Sequence, residues 1–231
     1  MDFASQGNFT VEFLIEHVKQ CIDNAYKNLS KLNQNPAILE ELQGMSGWKT
    51  RHLYNNICNL PERFTHLEIG SYMGSSIISA LFDNLNAVGI AVDNFSEFQG
   101  PREELCKNLA SYLKGQDNYI VIDDDCWNIK ELPENRLATT YLYDGVHNLE
   151  AQTKAITHFY KMCTKYFILM VDDSATDSWT NAMKGTREGI KQAGLKIHFE
   201  YDIPMTTSAY HQGGDSFWNG CYVAVLERTD I

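Results

Sequence analysis

The first sixty residues carry apolar side chains at helical spacing. From Val11 to Leu29 an apolar residue recurs every three or four positions while the other faces stay polar, which predicts an amphipathic helix with Thr10 as its N-cap. Pro36 provides a first-turn proline for a second, short helix, and a further helical stretch runs from Trp48 to Cys58. We therefore expect an N-terminal helical cap over residues 1–60.

After Pro61 the pattern changes to short apolar runs that alternate with amphipathic stretches. This alternation is typical of strands joined by crossover helices, and it predicts an α/β fold with a mostly parallel sheet and helices on both faces. No helical stretch separates the last two apolar runs, so we expect an antiparallel last strand. The seven predicted strands are Phe64–Ile69, Ala87–Val92, Tyr119–Ile122, Thr140–Tyr143, Tyr166–Val171, Lys196–Tyr201 and Cys221–Leu226.

The connections between these strands are partly helical. Helices are predicted at Pro101–Tyr112, Asn148–Cys163 and Ser178–Ala193. A polar loop with aromatic residues, Pro204–Asn219, joins the last two strands and is longer than loops without a function usually are. Because no Gly/Ser linker or charge run separates the cap from residues 61–231, we expect one folding unit.

Composition narrows the class of protein. Of the 231 residues 44% are apolar, and the longest apolar run, Tyr166–Val171, is far shorter than the roughly 20 residues of a membrane span. The 30 acidic and 19 basic side chains give a formal net charge of −11. This charge disfavours nucleic acid and anionic membranes as partners.

The six cysteines are scattered, with no C-x-x-C pair and no histidine beside them at metal-ligand spacing, so a thiolate zinc site is not expected. The N-terminus is acidic and lacks the apolar segment of a secretory signal. Both features favour a cytoplasmic protein with reduced thiols. The oligomeric state stays open, a homo-oligomer included.

The residues that follow the predicted strands are unusually acidic. In an open α/β sheet ligands bind beyond the carboxyl ends of the strands. The first strand ends at Glu68-Ile69 and continues into a turn, Gly70–Ser76, whose glycines allow close backbone approach. The G-x-x-x-G spacing and the carboxylate oppose a pyrophosphate and favour a cationic ligand. The alternative is a plain turn with a solvated Glu68.

Polar side chains also follow the second and third strands. The second ends at Asp93 and Asn94, where a carboxylate is placed to accept both hydroxyls of a ribose. The third ends in the aspartates 123–125, followed by Cys126 and Trp127. One carboxylate could accept an adenine amino group and the indole could stack on the ring; the alternative is a solvated acidic turn with a core tryptophan.

The fourth strand ends at Asp144 and the fifth at Asp172 and Asp173. Three carboxylates at adjacent strand ends repel one another unless a hard cation lies between them, and Mg²⁺, Mn²⁺ or Ca²⁺ suits such oxygen ligands. Without a metal, one carboxyl would have a raised pKa or would cap the following helix.

Together these segments resemble a known family. LEIGSYMGSS, AVDNF, YDGVHNLEAQ and MVDDS, in this order, are similar to the motifs of class I S-adenosylmethionine-dependent methyltransferases over roughly Thr65–Glu227. D-G-x-H-x-x-E-A followed by V-D-D is similar to the metal-dependent O-methyltransferases related to the catechol, macrocin and sugar enzymes. The resemblance implies a Rossmann-like fold for residues 61–231, S-adenosylmethionine as cofactor, Mg²⁺ or another divalent cation, and a small-molecule hydroxyl as acceptor.

The resemblance also implies site residues, with some departures. Catechol-type enzymes have asparagine where Asp173 stands and lysine where His147 stands, and sugar-modifying relatives often have an acidic residue at Val146. The implied cofactor-binding residues are Glu68, Gly70, Ser71, Tyr72, Gly74, Ser75, Asp93, Asn94, Asp125, Cys126, Trp127 and Asp144, and the implied metal ligands are Asp144, Asp172 and Asp173.

His147 is the predicted catalytic base. An unperturbed histidine pKa of about 6.5 suits proton removal near neutral pH, and the position three residues after Asp144 faces the same cleft. The alternative is a helix-capping residue, or one that only orients a neighbouring ligand. His66 and His158 are interpreted as structural.

The N-terminal helices and the 204–219 loop are expected to cover the acceptor, since long aromatic loops beyond a parallel sheet often act as lids. Arg51 and His52 could contact an anionic group of the acceptor, or they could be surface residues of a helix. His211 and Trp218, in a loop that also contains Tyr210 and Asp215, could contact the acceptor itself.

Two other function classes remain open at this point. One is a nucleotide-dependent oxidoreductase, which the glycine spacing and Glu68 oppose. The other is a non-catalytic protein of the same fold that binds adenosine-type ligands.

Overall fold

The structure is a computed structural model that describes residues 7–176, 180–206 and 214–231. No helix among these residues is long and apolar enough to cross a membrane. The helices are α1 (Val11–Tyr26), α2 (Ala37–Glu40), α3 (Trp48–Ile57), α4 (Ser75–Leu81), α5 (Arg102–Tyr112), α6 (Leu149–Phe159) and α7 (Ala182–Gln192). The strands are β1 (Phe64–Ile69), β2 (Ala87–Asp93), β3 (Tyr119–Asp123), β4 (Ala138–Tyr143), β5 (Cys163–Asp172), β6 (Lys196–Ile203) and β7 (Cys221–Glu227).

The strands form one seven-stranded sheet in the order β3-β2-β1-β4-β5-β7-β6. Strands β1 to β5 pair in parallel, while β7 lies between β5 and β6 and is antiparallel to both. The prediction of a seven-stranded, mostly parallel α/β sheet with an antiparallel last strand is confirmed. Its chain order reverses between β1 and β4, which is where ligands bind in open sheets of this kind.

Alternation of side chains along the strands divides the core into two layers. In β1, Phe64 points to one face and Leu67 and Ile69 to the other, and each joins a separate apolar cluster. The first face is covered by α1, α3, α4 and α5, and the second by α6 and α7. Helices therefore lie on both faces, as predicted.

The N-terminal helices share the first of these clusters with the sheet. Thr10 caps α1 by accepting a hydrogen bond from the N–H of Phe13. Leu14 and Val18 are fully buried, whereas Leu29 lies beyond the end of α1 and is 48% exposed. The apolar pattern predicted the buried face correctly but placed the end of this helix one turn too late.

Strand β5 begins earlier than the sequence predicts. The helix expected to run to Cys163 ends at Phe159, and a 3₁₀ turn, Tyr160–Met162, leads into the strand. Cys163 is extended because it pairs with Ala138 of β4. A contact between distant segments thus overrides a helical pattern. The predicted start of the last helix, Ser178, lies outside the described residues, and α7 begins at Ala182.

Candidate functional site

The turn after β1 packs tightly against the end of β4. Gly70 has a φ of +88°, and a Cβ atom placed there would lie 2.0 Å from the carbonyl oxygen of Asp144. Only glycine fits this position. Tyr72 also has a positive φ, of 46°, and its N–H donates to the Oδ2 atom of Asp93 at 2.9 Å.

Asp93 fixes the geometry between the ends of β1 and β2. Its second oxygen, Oδ1, accepts the N–H of Phe95 at 2.7 Å. Next to it the exposed Asn94 accepts hydrogen bonds from the N–H and the hydroxyl of Ser96. The predicted ribose-binding pair therefore lies directly beside the glycine turn, as the strand order requires.

Glu68 lies beneath this turn. Its side chain is 0% exposed, and its Oε1 atom accepts a hydrogen bond from the Ser76 hydroxyl at 2.8 Å. The alternative of a solvated Glu68 is wrong. Ser71 and Ser75 are also buried, so the turn presents backbone more than serine side chains to the cleft.

The end of β3 is a hydrogen-bonded turn. Asp125 is exposed and its Oδ1 atom accepts the N–H of Trp127 at 3.0 Å. The indole packs on Phe159, and the ammonium group of Lys154 lies 4.1 Å from its ring centre. Burial raises the pKa of the neighbouring Cys126 to about 11. These contacts match the alternative of a tryptophan that packs on the core better than a free stacking surface.

Three carboxylates and one imidazole meet at the ends of β4 and β5. The Nε2 atom of His147 lies 3.4 Å from Oδ1 of Asp144 and 3.5 Å from Oδ2 of Asp173. Asp173 has a φ of +58°, and its N–H donates to Oδ1 of Asp172 at 2.9 Å. The sequence prediction that these four side chains come together is therefore matched by their placement.

The carboxylates of this cluster disfavour one another's ionisation. Burial, and after it the charges of Asp173, Glu68 and Asp93, raise the pKa of Asp144 well above its usual range. Burial and the charges of Asp144 and Asp173 do the same to Asp172, which is 3% exposed. The cluster is therefore a site where a cation or a proton is strongly favoured.

Two side chains that contact the cluster were not identified from the sequence. The fully buried Tyr54 of α3 lies beside Asp172, and burial together with this charge raises its pKa. The Nε2 atom of the buried Gln152 lies 3.3 Å from Nδ1 of His147, and its Oε1 atom accepts the Thr186 hydroxyl. Sequence spacing could have suggested Gln152, which lies one helical turn beyond the cluster on α6, but it gives no indication of Tyr54.

The cluster has the donor chemistry of a divalent-cation site. Carboxylate oxygens are the ligands that Mg²⁺ and Mn²⁺ prefer. In the part of the chain that the structure describes, however, no three His, Cys, Asp or Glu side chains are placed to hold a metal ion. The His147 ring lies between Asp144 and Asp173 instead.

Arg51 and His52 are buried in α3. Arg51 is 2% exposed, and its guanidinium donates to the carbonyl oxygens of Ile38 and Leu42. His52 is 1% exposed and contacts the hydroxyl of Ser30. The expected surface position is wrong, because α3 is buried on nearly all sides. Contact with an acceptor stays a prediction.

The end of the long loop is fastened to the start of α3. The N–H of Trp48 donates to the carbonyl of Gly214, and the ammonium group of Lys49 lies 2.7 Å from Oδ1 of Asp215. Residues 214–217 form a strap over the start of α3. Strand β6 ends, and β7 begins, at the same edge of the sheet as the acidic cluster, so this strap lies near the cluster. Trp218 is half-buried there. The predicted contacts of Tyr210 and His211 lie outside the described residues.

Comparison with known proteins shows the fold. No protein-family model and no curated protein matches the chain. Among solved structures, the cofactor-bound Rv0187 protein of MTB is 13% identical over 92% of this chain and 88% of its own, with a TM-score of 0.59. The O-methyltransferase TomG of Streptomyces achromogenes, in complex with S-adenosylmethionine, is 14% identical over 90% of each chain, with a TM-score of 0.57.

A candidate caffeoyl-CoA O-methyltransferase of Staphylococcus aureus is 14% identical over 90% of this chain and 98% of its own, with a TM-score of 0.55. The chain therefore has the Rossmann-like fold that S-adenosylmethionine-dependent methyltransferases share.

Repulsion among the carboxylates of Asp144, Asp172 and Asp173 should lower the free energy of unfolding. Asp172→Asn removes one buried carboxyl whose pKa is raised, and it should raise the free energy of unfolding at pH 8 by about 1 kcal/mol, or Tm by roughly 2–4 °C. A raised pKa means that stability is present at low pH and is lost as pH rises, so the gain should shrink towards pH 4. Thermal unfolding in EDTA across this range measures it.

Asp123→Asn is the matched control, because Asp123 also ends a strand but is exposed and pairs with Arg102 at 2.8 Å. Its Tm should change little and show no such pH trend. A lower Tm for Asp172→Asn at pH 8 would contradict the repulsion argument.

Proposed function

We propose that this protein is an S-adenosylmethionine-dependent methyltransferase that transfers a methyl group to a hydroxyl of a small molecule. The observation that carries the proposal is the acidic carboxyl edge of the sheet, where Asp93 and the Gly70 turn adjoin the cluster of Asp144, Asp172 and Asp173. A sulfonium donor with an ammonium group and no phosphate suits such an edge, whereas a dinucleotide does not. The fold, shared with structures that hold this donor, supports it.

In this proposal the donor lies across the ends of β1, β2 and β3. Its methionine part would contact the turn from Gly70 to Ser75 above Glu68, its ribose hydroxyls Asp93 and Asn94, and its adenine the Asp125–Trp127 segment. The sulfonium would then face Asp144 and His147. Most of the rate would come from holding the acceptor oxygen in line with the methyl group.

His147 is proposed as the base that removes the acceptor proton. Asp144 and Asp173, 3.4 and 3.5 Å from its Nε2 atom, would stabilise the imidazolium that forms. For Nε2 to accept a proton, Nδ1 must carry one, and Gln152 would then present its carbonyl oxygen to it; the two ends of an amide are interchangeable in this respect. Gln152 would thereby select the active tautomer.

A divalent cation is the second part of the proposal. Asp144, Asp172 and Asp173 carry the oxygen ligands that Mg²⁺ or a related ion prefers. They would hold it only after the His147 ring leaves its place between Asp144 and Asp173. Such an ion lowers the pKa of a bound hydroxyl as a Lewis acid. Neutralising the three carboxylates would also remove their mutual repulsion.

Donor binding is the first test. Isothermal titration with S-adenosylhomocysteine should give a micromolar Kd both with Mg²⁺ and with EDTA. Asp93→Asn should raise this Kd at least tenfold. The Asp93 carboxylate would bind the ribose hydroxyls, and it accepts the N–H of Tyr72 in the glycine turn. Asp123→Asn, at the paired register position of β3, should leave Kd unchanged. Absence of binding in both buffers would overturn the proposal.

Replacement of the base should separate chemistry from binding. His147→Gln should lower kcat by about 10²–10⁴-fold while S-adenosylhomocysteine affinity stays within threefold. His198→Gln, at the opposite edge of the sheet, serves as control. Full activity of the His147 variant would exclude it as the base. Donor binding without turnover in any acceptor screen would favour the non-catalytic ligand-binding alternative.

The metal is tested by removal. EDTA should abolish turnover and Mg²⁺ should restore it, and Asp172→Ala should abolish metal-dependent turnover with donor affinity within a few-fold of wild type. Full turnover in EDTA would leave the methyltransferase proposal intact but exclude the cation. Collapse of donor binding in Asp172→Ala would show that this strand end has been assigned the wrong role.

A further inference from the structure

A buried histidine and a buried glutamate lie side by side beneath the turn from Gly70 to Ser76, and the proposed mechanism assigns no role to the histidine. His66 and Glu68 are both 0% exposed, and Nε2 of His66 lies 3.7 Å from Oε2 of Glu68. Neither atom has a hydrogen-bond partner among the described residues. Residues two apart on a strand face the same side, so the H-x-E sequence already contains this juxtaposition.

The other atoms of the two side chains are occupied. Nδ1 of His66 lies 2.9 Å from the Thr140 hydroxyl on β4, and Oε1 of Glu68 accepts the Ser76 hydroxyl. Ser76 belongs to the first turn of α4. A continuous set of contacts therefore runs from β4 through β1 to the helix that begins at the glycine turn.

The charge of Glu68 needs a partner. A carboxylate without solvent exposure is strongly unfavourable unless a cation lies beside it. Within the described residues His66 is the only basic side chain at ion-pair distance from Glu68. The groups that face the pair from other elements are Cys58 just after α3, Thr140 of β4 and Ser76 of α4, with Asp144 beyond Glu68. None of them is cationic.

We propose that His66 is a positioning residue of the donor site: as an imidazolium it pairs with the side chain of Glu68 and, through Ser76, fixes the first turn of α4. The ligand in this inference rests on the proposed function, whereas the ion pair itself does not. Burial alone would lower the pKa of His66, but Cys58 and Glu68 raise it to about 10. Pairing with Glu68 thus favours the protonated form of the His66 ring.

A double-mutant cycle tests the pair. His66→Gln keeps the shape and a donor but removes the charge, so Tm at pH 7 should fall by about 10 °C, and Glu68→Gln should have a similar effect. The double variant, neutral like the native pair, should recover at least half of the loss. S-adenosylhomocysteine affinity should fall at least tenfold in His66→Gln.

His198→Gln is the matched control, because it breaks a shorter His–Glu contact of 2.8 Å at a more exposed place; its Tm should change by less than about 2 °C. If the Tm losses of the two single variants simply add in the double variant, His66 contributes packing only, and the proposal is overturned. So would a Tm for His66→Gln close to that of wild type.

Imidazole NMR of the wild-type protein decides the matter if the variants do not fold. The resonance of His66 should show a doubly protonated ring that does not titrate between pH 6 and 8. A ring that titrates near pH 6.5, or is neutral throughout, would overturn the proposal. If S-adenosylhomocysteine does not bind the wild type at all, the proposed function fails while the thermal cycle and the NMR result still decide the ion pair.

Discussion

Negative charge is concentrated at the carboxyl ends of the central strands, and Glu68 and Asp172 are buried there. Strand order alone brings Glu68, Asp93, Asp144, Asp172 and Asp173 to neighbouring positions. Each is compensated in a different way: Asp93 by two backbone N–H groups, Glu68 by a histidine and a serine, and the Asp144–Asp173 cluster by a shared imidazole. An edge built in this way is costly for folding but attracts cationic ligands.

The strands were predictable because a buried strand has a simple pattern. The run Phe64–Ile69 is buried at every position, as a central parallel strand must be, and its bounds are as predicted. Once the strand ends are known, the sheet order places the acidic residues together. The fold and the acidic cluster could therefore be predicted from local sequence and one topological rule.

The sequence did not predict the contacts of polar residues that are buried by tertiary packing. Arg51 and His52 have the composition of a surface helix, yet α3 is enclosed by α1, α4 and the strap of residues 214–217. Tyr54 reaches Asp172 from a helix more than a hundred residues away in sequence. Such burial is decided by tertiary packing, which no periodicity encodes.

The two ends of the described chain lie at the sheet edge opposite the acidic cluster. The N–H of Gly7 donates to the carbonyl of Arg63 just before β1, and Arg228 follows β7 where it pairs with the start of β5. A probe attached to a side chain near Gly7 or Arg228 would thus lie at the far side of the sheet from the cleft.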